Sequence, residues 1–203
     1  MEGVSGTGRV AIKSRQARQR ILDASSELFA KRGIRAVGVD ELIERAKVAK
    51  ATFYSHFHSK DELVLAYLER LHETRSASID AAIHSQDRGP MSLLAVFDVF
   101  AKVVRPEVND ATSFVHVLIE MGPEHPLGRA SAEYLARIRQ QIAALAREVG
   151  LRNPEGFARK VQILLEGAVI AAVEGDREGV EQARQLGALL IDLHRGAPPP
   201  AVE

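Results

Sequence analysis

Cysteine occurs nowhere in the 203 residues. Disulfides and thiolate metal sites are therefore excluded, and a reducing compartment is the natural home. Long hydrophobic runs are missing as well. Stretches such as GAVIAAV at 167–173 fall far short of the about 20 apolar residues that a bilayer-spanning helix needs. The N-terminal MEGVSGTGRVAIKSRQ has no apolar region of the kind a signal peptide carries. These absences predict a soluble, cytoplasmic protein with no membrane partner. No alternating strand pattern and no solenoid-length repeat occurs, so no strand-borne glycine loop is available to cradle a phosphate. Net charge is absent too, with 27 Lys+Arg against 27 Asp+Glu.

That zero is an average over two unlike halves. Residues 1–60 hold 12 Lys+Arg and 6 Asp+Glu, which leaves 15 and 21 for residues 61–203, so the halves carry +6 and −6. A basic module joined to an acidic one suits a chain whose front end meets a polyanion while its back end does not. The hydrophobic fraction of 46% and charged fraction of 27% are those of an ordinary globular protein.

The most informative stretch is GVDELIERAKVAKATFYSHFHSK, from Gly38 to Lys60. Val39, Leu42, Ile43 and Ala46 recur at helical spacing, Val48 sits at a corner, and Phe53 and Phe57 repeat four apart on a second short helix. The remaining residues of that second helix, Lys50, Thr52, Tyr54, Ser55 and His56, with Lys60 just beyond, donate hydrogen bonds or carry positive charge, and none is acidic. A helix-turn-helix that meets phosphates and base edges needs such a face. The competing reading is the solvated surface of an ordinary helical hairpin, which usually mixes both signs of charge.

The rest of the chain reads as further helices. Residues 1–13 are Gly-rich and are expected to form a disordered basic arm carrying Arg9 and Lys13. A helix from about Ser14 buries Ile21, Leu22, Ser25, Leu28 and Phe29 and stops at Gly33. Ser59-Lys60-Asp61-Glu62 is a capping box that starts a helix at Lys60 and carries it to about His84. Helices follow over about Met91–Arg105, Ala111–Met121, Pro126–Val149, Glu155–Glu174 and Glu178–His194, with Asn153-Pro154-Glu155 as an N-cap signal. The expectation is an all-α chain of nine helices: a helix-turn-helix domain over 14–59, a helical domain over 60–195 and a flexible tail over 196–203.

The first 70 residues resemble the DNA-binding domain of the tetracycline-repressor (TetR) family of bacterial transcriptional regulators. The resemblance rests on Arg20-Ile21-Leu22-Asp23-Ala24, Leu28-Phe29, Gly33, Val39, Glu41-Leu42 and Ala46, and above all on the run KATFYSHFHSKDEL from Lys50 to Leu63. It implies a homodimer that binds a double-stranded DNA operator and releases it when a small molecule enters the C-terminal domain. By the same resemblance Thr52, Tyr54, His56 and Lys60 hold phosphates. Lys50 and Ser55 are the candidates for base edges, since Lys reaches guanine acceptors and Ser is permissive. Lys47, Ala51, Gly38 and Arg15 complete the expected DNA surface. Three positions depart from the family pattern: Gly38 stands where a capping Ser or Thr is common, Lys47 replaces the corner Gly, and Ala49 replaces the N-cap Ser of the recognition helix.

One short recognition helix reads too little sequence alone, so two-fold pairing is expected, with half-sites about 34–36 Å apart. Gly167, Ala168, Ala171 and Ala172 on one helix and Leu186, Leu189, Leu190 and Leu193 on the last are the candidate dimer interface, with an intramolecular core as the other reading. Phe97, Phe100, Phe114, Val117, Met121 and Tyr134 are candidates to line an effector pocket, with His116, Glu120 and Glu166 as its polar groups; plain core is the rival reading. No metal site and no cofactor is expected, because the seven His are scattered and His56/His58 and Glu124/His125 are too few ligands. Two other functions compete: a helix-turn-helix factor that senses no ligand, and an all-helical enzyme, for which no Ser, His and Asp are brought together.

Overall fold

Apolar residues three and four apart give each segment one buried stripe, and each stripe ends where Gly, Pro or an N-cap interrupts it. The computed structural model describes residues 5–85, 89–103, 114–176 and 178–195, and among these every regular element is helical. The elements are α1 (Ser5–Arg32), α2 (Val39–Ala46), α3 (Lys50–His56), α4 (Lys60–His84), a 3-10 turn at Pro90–Leu94, α5 (Ala95–Val103), α6 (Phe114–Met121), α7 (Pro126–Glu148), α8 (Pro154–Val173) and α9 (Gly179–His194). The all-α expectation of nine helices holds among the described residues.

One boundary differs. α1 begins at Ser5 rather than near Ser14, so residues 5–13 are helical where a disordered arm was expected. Glycines disfavour a helix by about 1 kcal/mol each, but extending an existing long helix avoids the cost of nucleation. The helix end expected at Arg105, the start expected at Ala111 and the flexible tail 196–203 lie outside the described residues.

The chain divides into two compact units. The first comprises Met1–Arg70 and Asp110–Ala130. In its core Phe29 meets Tyr67 edge to face at 5.5 Å, and Ile21, Leu42, Phe53 and Leu63 are fully buried. Such ring pairs add to the area they bury. Phe114 and Val117 of α6 are buried in the same unit. Gly33, at φ +75, closes α1 in the left-handed conformation that Gly adopts without penalty, and its amide donates to the Phe29 carbonyl at 2.9 Å.

The second unit comprises Leu71–Asn109 and Ser131–Glu203. Asn153, itself left-handed at φ 48, caps α8 by accepting from the Gly156 amide at 3.0 Å. Arg152 grips the end of α9. Its amide donates to the His194 carbonyl at 2.8 Å, its Nε to the Arg195 carbonyl at 3.0 Å and its second guanidinium nitrogen to the Leu193 carbonyl at 3.3 Å. His194 answers through its Nδ1, 2.7 Å from the Arg152 carbonyl. Gly187 of α9 lies against the Phe97 ring of α5, where an added Cβ would stand 2.4 Å from a ring carbon. Gly187→Ala must therefore displace a buried ring. The expected loss is about 1–3 kcal/mol of stability, read from the midpoint of chemical denaturation.

Candidate nucleic-acid interface

The interface is built from α1, α2 and α3. Phe53 and Phe57 are buried at 0% and 1% exposure, and this fixes which side of the seven-residue α3 faces water. Lys50, Ala51, Tyr54 and Ser55 are exposed on that side, with Thr52 and His56 half-buried. Tyr54 stands edge-on to Phe53 at 5.4 Å, so its ring is braced while the side chain stays exposed. The Arg18 guanidinium of α1 lies 5.3 Å over the Phe57 ring, a cation–π contact that ties the two helices. Arg15, Gly38 and Lys47 are exposed around the same helices.

The three departures from the family pattern have visible consequences. Gly38 and Ala49 occupy the N-cap positions of α2 and α3, and neither helix has a side-chain cap. Lys47 sits at φ 52, ψ 50, a left-handed residue after the end of α2, where its amide donates to the Glu44 carbonyl at 3.1 Å and the next amide, Val48, to Ile43 at 3.3 Å. This is the Schellman pairing that usually recruits Gly, adopted here by a residue with a Cβ.

The donor groups are not equally free. The Lys50 ammonium lies 3.4 Å from Asp40, with both side chains well exposed, so the pair contributes little and yields readily to a better anion. The Ser55 hydroxyl donates to the Thr52 carbonyl at 2.8 Å, which leaves its lone pairs outward as acceptors. Lys60 is half-buried at the start of α4. Burial holds its pKa below the usual lysine value, against the pull of Glu120 and Asp61. Behind the interface Arg45 pairs with Glu27 and Arg32 with Glu41, joining α2 to α1. Arg45 first, then Lys31, keeps the Glu27 carboxyl below its ordinary range.

The capping box is formed in altered registry. The Glu62 amide donates to Ser59 Oγ at 3.1 Å, as the sequence predicts. The returning Glu62 carboxylate accepts instead from the His58 amide at 2.7 Å and meets the His58 ring at 3.0 Å. The His58 amide is the main reason its pKa lies below the ordinary glutamate value.

Residues 21–67 match the family described as bacterial regulatory proteins, tetR family. These residues are those of a TetR-family DNA-binding domain. Among curated relatives, the HTH-type transcriptional activator FasR of Mycolicibacterium smegmatis is 36% identical over 85 residues, covering 42% of this chain and 39% of that protein. The HTH-type transcriptional regulator TtgR of Pseudomonas putida is 32% identical over 95 residues, covering 44% and 45%. The match thus spans less than half the length of these relatives. Among solved structures, a TetR-family transcriptional regulator from Streptomyces coelicolor superposes with a TM-score of 0.80 at 26% identity, covering 89% of this chain and 96% of that one. The TetR fold therefore extends across both units, and the relatives are named as regulators rather than enzymes.

The other candidate residues fall in different places. Of the expected pocket residues, Phe114, His116, Val117, Glu120 and Met121 belong to the first unit, and Phe97, Phe100, Tyr134 and Glu166 to the second. In the second unit, the buried Arg75 guanidinium covers Phe100 at 5.0 Å, Tyr134 stacks beside His72 at 5.1 Å, and Glu166 accepts from Gln162 at 2.6 Å. Phe97 packs on Gly187. In the first, Phe114 and Val117 are core, and Glu120 accepts from the Arg35 amide at 3.0 Å.

Among the dimer candidates, Leu186, Leu189 and Leu193 are exposed, the last two at 65%, Leu190 is half-buried, and Gly167 faces open space. Ala168 is buried in its own unit and Ala171 packs against Gly179. Sequence reasoning passed over Ile163, at 62% exposure, and Ile170, which share the open face of α8 with Gly167. Their spacing of four and then three was the available signal.

The uncapped helices generate a stability prediction. Lys47→Gly removes the left-handed strain of a side chain and should raise stability by about 1 kcal/mol. Ala49→Ser should add about 1 kcal/mol through a side-chain N-cap on α3. Both are read as shifts in the denaturation midpoint, and a fall in either variant would contradict the cap assignments.

Proposed function

We propose that this chain is a cytoplasmic, homodimeric transcriptional repressor that holds a palindromic operator and releases it when a small molecule binds its C-terminal domain. In this reading residues 14–59 are the DNA-reading head with 1–13 as its arm, and 60–195 carry effector binding and dimerisation. The observation that carries it is α3: two buried phenylalanines force a face of Lys50, Ala51, Tyr54 and Ser55 outward, with no acid on it. Thr52, Tyr54, His56 and Lys60 hold phosphates. Lys50 exchanges Asp40 for guanine acceptors, and Ser55, its proton committed to Thr52, accepts from a cytosine or adenine amino group.

Two copies pair through the open faces of α8 and α9, where the large apolar side chains of Ile163, Ile170, Leu186, Leu189 and Leu193 are exposed. The effector is a small molecule received among the candidates of the second unit, Phe97, Phe100, Tyr134 and Glu166. A ligand that binds better to a state with misplaced recognition helices shifts the population away from DNA. The sign of regulation is read from a reporter gene behind the operator, since one relative is named an activator.

Binding to duplex DNA measured against salt tests the head. Lys60→Ala should weaken all sequences alike and flatten the log–log salt slope by about one per protomer, while Ser55→Ala should change sequence preference. Unchanged binding by the Tyr54→Ala/Lys60→Ala double variant would refute the docking. Sedimentation tests the pairing. The wild type should be a dimer at micromolar concentration and Leu189→Asp/Leu193→Asp a folded monomer; a wild-type monomer would rule the interface out.

A further inference from the structure

The turn between α1 and α2, residues 33–38, sets where α2 and α3 stand on α1. Its Arg35 amide finds its acceptor 85 residues away, in Glu120 of α6, at 3.0 Å. Both carboxylate oxygens of Glu120 lie close to Gly33, at 3.8 and 3.9 Å from where a Cβ would be. Glu120 is half-buried, and all of these residues belong to one compact unit. A half-buried carboxylate of α6 therefore holds the backbone of the turn that leads into the helix-turn-helix, and this setting strengthens a charge-assisted hydrogen bond over its value in open water.

We propose that Glu120 is a positioning residue of the DNA-binding head, which fixes the α1–α2 turn, and through it the stand of α2 and α3, by accepting from the Arg35 amide. The inference rests on the DNA-binding reading above. A glutamine keeps a carbonyl oxygen for the Arg35 amide, and an alanine removes the acceptor.

The test uses the full chain and a random-sequence DNA duplex, titrated at low salt, with hydrogen exchange at the Arg35 amide as a second readout. Glu120→Ala should lose protection at Arg35 and bind DNA about two- to five-fold more weakly, the loss of one modest hydrogen bond. Glu120→Gln should restore both, since its carbonyl oxygen still accepts from the Arg35 amide. Unaltered Arg35 exchange in Glu120→Ala would overturn the hold on the turn, and lost protection with unchanged DNA affinity would overturn the positioning role. Wild-type protein that binds no DNA at low salt would remove the DNA-binding reading and this proposal with it, a result distinct from either of the others.

Discussion

Phe53 and Phe57 constrain everything in the front of the molecule. In seven residues α3 has room for one buried face, and Phe53 within it and Phe57 at its C-cap, four apart, claim it. Neither helix at the corner has a side-chain cap, so their order comes from packing rather than from local hydrogen bonds. Arg18 over Phe57 and Tyr54 against Phe53 extend that packing outward, which means a polar surface is being held by an apolar one. Loss of either ring would loosen α3 and its outward chemistry together.

The electrostatics follow from that geometry. Of the six acids in residues 1–60, Asp23 pairs with Arg70, Glu27 with Arg45 and Lys31, Asp40 with Lys50 and Glu41 with Arg32. Most of these pairs lie at the seams between helices, where they orient the elements at modest energetic value. On the open side of α3, Lys50 lies beside the exposed Asp40. The surplus of six positive charges over residues 1–60 suits a module that meets a polyanion.

Periodicity made the helices legible. Stripes such as Leu42 and Ala46, or Ile138, Ile142 and Leu145, are buried where the spacing puts them. The start of α1 was not legible, because glycine propensity is local while helix extension is cooperative. The altered registry of the capping box was hidden for a similar reason: Ser59 and Glu62 are the right pair, but the His58 amide and ring offered Glu62 a better-placed partner than the Ser59 amide. Glu120 was the least readable. On its own helix it looks like the polar end of an i, i+4 pair with His116, and only tertiary structure brings the Arg35 amide to it. The open face of α8 lay between these extremes, since small residues drew attention away from Ile163 and Ile170 beside them.

A helix ordinarily frays at its last turn, because the final carbonyls have only water to turn to. At the end of α9 the carbonyls of Leu193, His194 and Arg195 are all taken by Arg152. The backbone beneath Leu193, the outermost leucine of the open apolar face, is therefore held where a helix end would otherwise fray, and the edge of that face is as fixed as the fold of the unit behind it.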